Sequence, residues 1–171
     1  LKKKTQKAQI KLHGYNNEIL FGLLFLIKKF PKKICLLFNV KSNFKTHNDI
    51  PFAIKWICTK KRHKIQLPVS LTKFINSIKQ CKKQFIAVPL YIFYKCNSYD
   101  GHANCLIFDN KNRTIERFEP YGKFLDNIFN HREIKIANQF DKEFEKLIKK
   151  LPYNYRSPNM FCPTVNVQQH E

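Results

Sequence analysis

Apolar positions along the chain follow two rhythms, and each predicts a different kind of element. In PVSLTKFINSIKQC, residues 68–81, Leu71, Phe74, Ile75 and Ile78 recur at helical spacing. QFDKEFEKLIKKLP, residues 139–152, carries the same signal more strongly, because Phe140, Phe144, Leu147, Ile148 and Leu151 make one apolar face. Its acids (Asp141, Glu143, Glu145) sit early, Lys146, Lys149 and Lys150 sit late in accord with the helix macrodipole, and Pro152 closes it, so a helix is predicted around 139–151. NNEILFGLLFLIKKFP, residues 16–31, holds an apolar run from Ile19 to Ile27, with Asn16 or Asn17 available as N-cap and Pro31 as the stop. It predicts a short buried helix.

The second rhythm is that of strands. QFIAVPLYIFYK, residues 84–95, is aromatic and β-branched, and its Pro89 suggests an edge strand or a bulge. GHANCLIFDNKNRTIERFEPYG, residues 101–122, reads as two strands around a tight turn at Lys111 and Asn112. Two further apolar runs, KKICLLFNVKS (32–42) and PFAIKWICTKK (51–61), are bracketed by lysines, and periodicity leaves them open between strand and helix. The plan is mixed α+β: a basic mobile arm over 1–14, a helical or mixed subregion over 15–83, and a core over 84–171 that carries the hairpin.

At 171 residues the chain suits one main domain, and its net charge of +20 is unevenly spread. Residues 1–99 hold 21 Lys and Arg against Glu18 and Asp49, whereas residues 100–171 hold 11 against ten acids. Such a field attracts nucleic acid, anionic membrane or acidic protein, although a lysine-rich solvated surface gives the same count. Phe52, Trp56 and Phe74 lie within the basic part and could stack bases, which makes a non-catalytic, basic nucleic-acid-binding protein the alternative reading. The apolar run at 19–27 is too short to span a bilayer, so no membrane span is expected.

Cys35, Cys58, Cys81, Cys96, Cys105 and Cys162 show neither a CxxC pair nor metal-ligand spacing. Free thiols in a reducing, intracellular compartment are expected, with no metal and no cofactor. Residue 1 is Leu, so a processed or incomplete start is also expected.

The hairpin is where chemistry enters. A turn centred on Lys111 and Asn112 sets Leu106 opposite Arg117 and Asn104 opposite Glu119, so that alternation puts His102, Asn104 and Glu119 on one face. A carboxylate beside an imidazole holds its tautomer and stabilises the imidazolium, as a general base requires. The bland alternative is a polar hairpin end, and a one-residue slip in register would separate the pair.

QFIAVPLYIF followed by GHANCLIFDNKNRTIERFEPYG resembles the His-bearing region of the ubiquitin-like-protein-specific cysteine proteases, which have the papain-like fold of the adenovirus and SUMO-protease type. The likeness is to the divergent versions found in large DNA viruses. It implies that His102 is the base and Glu119 the acid that orients it, with Glu in place of the more usual Asp. SPNMFCPTVNVQQHE, residues 157–171, resembles the segment leading to the oxyanion-hole Gln, which implies Gln168, or Gln169 for a slip by one. Asn166 stands where the pattern has Gly, and residues 1–83 carry no part of the likeness.

In the family the nucleophilic Cys follows that Gln at the start of a buried helix, in a Gly-Tyr/Phe-Cys context. The resemblance therefore implies a fold incomplete at the C-terminus and a chain, fragment or degenerate copy, that lacks the nucleophile and is inactive. Cys162 is a secondary candidate, but it precedes the Gln, and Pro163 would break a following helix. Cys105 falls on the hairpin face away from His102. The expected substrate is a ubiquitin-like modifier conjugate or a viral polyprotein, met in the host cytoplasm or the virion.

Overall fold

The computed structural model describes residues 16–37, 53–59, 62–96, 101–119 and 130–161. The basic arm at 1–14, Phe52, Cys162, Gln168 and Gln169 lie outside these residues.

The described residues make a mixed α+β structure around a seven-stranded sheet. Its central strand is β4 (Phe85–Phe93), the run of aromatic and β-branched residues read above. The two runs left open are both strands: Cys35 lies in β1 (Ile34–Leu36), and Trp56 in β2 (Ile54–Thr59). Both lie parallel to β4, β1 against Phe85 to Ala87 and β2 against Leu90 to Ile92. Pro89 is therefore central, which corrects the edge reading. It stands at the step where one parallel neighbour gives way to the next, where a residue with no N–H costs the ladder least.

A hairpin carries β2 into β3 (Arg62–Gln66) at one edge. On the other side of β4 follow β5 (Gly101–Asp109), β6 (Thr114–Phe118) and the short parallel β7 (Asn154–Arg156). The sheet thus runs across strands drawn from both sides of residue 84.

Helices cover both faces. On one face α2 (Leu71–Gln80), capped by Ser70, inserts Phe74 and Ile78, both about fully buried; Leu71, expected on that face, is 41% exposed in the first turn. Trp56 and Phe74 are core residues here, so neither offers a platform for a base.

The same face receives α3 (His131–Ile148), which begins eight residues before the predicted start. Its first turns carry a weaker apolar rhythm and are set by a capping box: Asn130 accepts from the Glu133 N–H, and Glu133 accepts from the Asn130 N–H. Phe140, Phe144, Ile148 and Leu151 are buried as the periodicity implies, and Leu147 is half-buried. Asp141 falls in mid-helix on the buried side, which corrects its reading as an acid at the start of the helix. The opposite face of the sheet is covered by α1 (Asn16–Lys29) through Leu23, and a short α4 (Pro158–Phe161) closes the described chain.

The free-thiol expectation is also corrected. Cys35 bonds Cys81 and Cys58 bonds Cys96, across 46 and 38 residues. Sequence spacing shows only local pairs, whereas these are brought together by the parallel pairing of β1 and β2 with β4. No helix among the described residues is long and apolar enough to cross a membrane.

Candidate functional site

The hairpin β5–β6 is built by its turn. Oδ1 of Asp109 accepts from the backbone N–H groups of Lys111 (2.8 Å) and Asn112 (3.1 Å), and Arg113 takes a left-handed φ of 55° to close the loop. The register follows: Leu106 pairs with Arg117 and Phe108 with Ile115. Residues 102, 104, 106 and 108 then share the face beneath α2 and α3 with residues 115, 117 and 119.

At the open end of the hairpin His102 Nε2 lies 2.5 Å from Glu119 Oε1. The imidazole is 12% exposed and the carboxylate 2%. Glu119 is held in turn by Arg117, whose Nη1 donates to Glu119 Oε2 at 3.3 Å and to Asn104 Oδ1 at 2.8 Å. The rest of the guanidinium forms a fork on Asp141 of α3, with Nε to Oδ1 at 2.8 Å and Nη2 to Oδ2 at 2.9 Å. Tyr155 of β7 donates its hydroxyl to Asp141 Oδ1 at 2.5 Å. Four elements, β5, β6, α3 and β7, thus converge on one hydrogen-bonded cluster.

A buried guanidinium is tolerable only when paired and hydrogen-bonded. Burial alone would lower the Arg117 pKa, but the charge of Asp141 and its hydrogen bonds, reinforced by Tyr155 and Glu119, outweigh burial and hold it above its usual value. Burial and then the Asp141 charge push the Tyr155 phenol up, so it stays a neutral donor. Glu119 and Asp141 thus share one guanidinium, and His102 meets the outer of the two carboxyl groups.

The sequence-predicted residues divide clearly. His102, Asn104 and Glu119 are brought together. Asn104 is 5% exposed, its Oδ1 is committed to Arg117, and its Nδ2 is buried with no hydrogen-bond partner among the described residues. Cys105 points to the α1 side, packed against the cluster of Leu23, Ala53, Ala87 and Tyr91, and burial pushes its thiol up to about 12. Cys35, Cys58, Cys81 and Cys96 are bonded in pairs, so none of the described cysteines is a thiolate aimed at His102. Among the described residues no group of three or more His, Cys, Asp or Glu side chains could hold a metal ion.

Arg117, Asp141 and Tyr155 were missed by sequence reasoning. The signal for Arg117 was present, since it shares the inward parity of Glu119 on β6, and an inward arginine demands an acid. Asp141, one residue from Phe140 on the apolar side of a helix, was the acid available.

A groove of about 940 Å³ runs beside α3, with Trp56, His63 and Tyr155 among its lining residues. His63 stacks on Trp56 at 5.6 Å, and its Nε2 lies 3.2 Å from the Phe93 carbonyl oxygen. Burial, with the charge of Arg132, lowers the His63 pKa despite that hydrogen bond. Neither His102 nor Glu119 lines the groove.

Compared with family models the chain matches none, and no solved structure matches it. It is 27% identical over 174 residues to a protein of Acanthamoeba polyphaga mimivirus named "Putative ankyrin repeat protein", covering 88% of this chain. The chain spans about a fifth of that relative's length (21%). Ankyrin repeats are stacked helix pairs of about 33 residues. The described residues here form a sheet with no such period, so the likeness does not fall on a helical-repeat array in this chain.

Proposed function

We propose that His102 and Glu119 are the base and orienting acid of a cysteine-peptidase-like centre of papain-like type, acting on ubiquitin-like modifier conjugates or a viral polyprotein. The observation that carries this reading is the 2.5 Å contact from His102 Nε2 to a Glu119 whose second oxygen is locked by a buried arginine. A carboxylate held so firmly fixes the imidazole plane and reserves Nε2, which leaves proton transfer with the substrate-activating thiol to Nδ1. When the base takes the thiol proton, Glu119 stabilises the imidazolium, and the thiolate attacks the carbonyl of an isopeptide or peptide bond. In this reading Gln168, or Gln169, donates to the oxyanion, as the resemblance implies.

The described cysteines are paired or turned away from His102, so none of these five is expected to act as the nucleophile. A ubiquitin or SUMO vinyl-sulfone probe should leave the 171-residue protein unlabelled. Where a longer form of the chain supplies a cysteine at Nδ1 of His102, that cysteine should label, and His102→Ala should abolish the label. Labelling at Cys162, or a label on the longer form indifferent to His102→Ala, would sink the assignment.

A further inference from the structure

A helix that is apolar nearly all round is ordinarily covered on all sides. α1 is not. It contributes Leu23 to the small cluster on its face of the sheet, and Leu24, Phe25, Leu26 and Phe30 stay exposed, Phe25 by 60%. Exposed lysines follow at once, Lys28 and Lys29 in the last turn and Lys32 and Lys33 just beyond it. No acid occurs from residue 19 to residue 37.

The apolar and cationic groups are interleaved. The Lys29 ammonium lies 5.7 Å from the ring centroid of Phe25 and 5.6 Å from that of Phe30, so two exposed rings flank one charge. The corner that presents them is braced: the Phe85 N–H donates to the Lys33 carbonyl at 2.8 Å, Lys83 Nζ donates to the Ile34 carbonyl at 3.1 Å, and Cys35 is bonded to Cys81.

We propose that this face docks on an anionic lipid surface, with Phe25, Leu26 and Phe30 entering the interfacial layer and Lys28, Lys29, Lys32 and Lys33 meeting its headgroups. The charge selects an anionic partner, since an uncharged apolar partner would strip water from four exposed lysines. The side chains select lipid over nucleic acid. Two of the four exposed apolar residues are leucines, which bury in acyl chains but offer no face to a base, and they stand on a convex helix rather than in a groove. At 14 residues α1 is about 21 Å long, short of a bilayer core of about 30 Å, so it lies on the surface and does not span it.

The test is co-sedimentation of the 171-residue chain with phosphatidylcholine vesicles, with and without about one-third phosphatidylserine. Binding is expected only to the phosphatidylserine vesicles. Phe25→Ser with Phe30→Ser should weaken it about tenfold at unchanged charge, and replacing the four lysines by Gln should weaken it by at least about tenfold. Both sets lie on exposed positions, and melting curves check that they fold. If the serine pair melts, a salt titration of the native chain serves instead: residual binding where charges are screened reports ring insertion, and complete loss overturns it. The proposal also fails if the anionic vesicles sediment no protein, or if a single-stranded oligonucleotide displaces them and itself loses affinity with the serine pair, which would assign the face to nucleic acid.

Discussion

On the face of the sheet beneath α2 and α3, Phe74, Phe108, Phe140 and Phe144 are excluded from solvent, and even an arginine is sealed in with its two acids. On the face beneath α1, the buried apolar cluster among the described residues is small, Leu23, Ala53, Ala87 and Tyr91, while apolar side chains of the covering helix stay exposed. The difference lies in the helices. α2 and α3 each have one apolar side and one polar side, so docking satisfies both. α1 is apolar on nearly every side, and a single contact with the sheet cannot use it up. Where a helix has more apolar surface than its own domain can bury, the excess is available for a further surface.

The contrast is sharpest in substitutions of the same residue type. Phe144→Ala on α3 should cost about 3 to 5 kcal/mol in a denaturant or thermal melt, because the ring is fully buried against Phe140 and Tyr155. No shift would show that the sealed face is built otherwise.

Arg117→Met should cost about 3 to 5 kcal/mol, since it leaves Asp141 and Glu119 buried without their cation. Adding Asp141→Leu should recover part of that loss. A double variant no more stable than the single one would mean that the fork on Asp141 is not the coupled unit described above.

Reduction of each disulfide should lower stability by about 2 to 4 kcal/mol, the loops of 46 and 38 residues being long ones to leave open in the unfolded chain. Peptide mapping without reductant checks the bridges directly, and digests holding Cys35 and Cys81 as separate thiol peptides would refute the first of them.

Cys105 belongs to the thinly covered face yet should resist alkylation at neutral pH. Its thiol is raised by burial to about 12, so the unfolded chain loses that proton first as pH climbs past about 9. This contribution to stability is complete below about pH 9 and is lost towards about 12. Rapid iodoacetamide labelling of the native protein at neutral pH would show that α1 does not protect it. The smallest effect belongs to Phe25→Ser, which should change stability by no more than about 0.5 kcal/mol, in contrast to Phe144→Ala.

Much of the candidate site was legible because hairpin geometry is local. Once Lys111 and Asn112 mark the turn, backbone alternation alone carries His102 and Glu119 to one face and Cys105 to the other, and the coordinates hold the pairing of Leu106 with Arg117 that this arithmetic implies. The helices were legible for the same reason, since Phe140, Phe144 and Ile148 follow a period that needs no distant partner. The N-terminal half of α3 was not, because its apolar signal is weak and a capping box spends its information on two residues.

What the sequence by itself determined, then, is whatever depends on residues within a turn or two of each other: the hairpin register, the periodic faces of α2 and α3, and the concentration of positive charge in the first 99 residues. Tertiary structure decided everything that rests on which segments meet. The strand identity of β1 and β2 comes from lying parallel to β4, a pairing that connects residues about 36 to 51 positions apart and leaves no local mark. The two disulfides follow from that pairing. The anchoring of Glu119 is tertiary as well, because the Arg117 that holds it is fixed by Asp141, 24 residues away, and Asp141 is a surface acid or a buried counter-ion according to which strand its helix covers. A charge in a sequence has no environment until the fold supplies the dielectric and the partner around it.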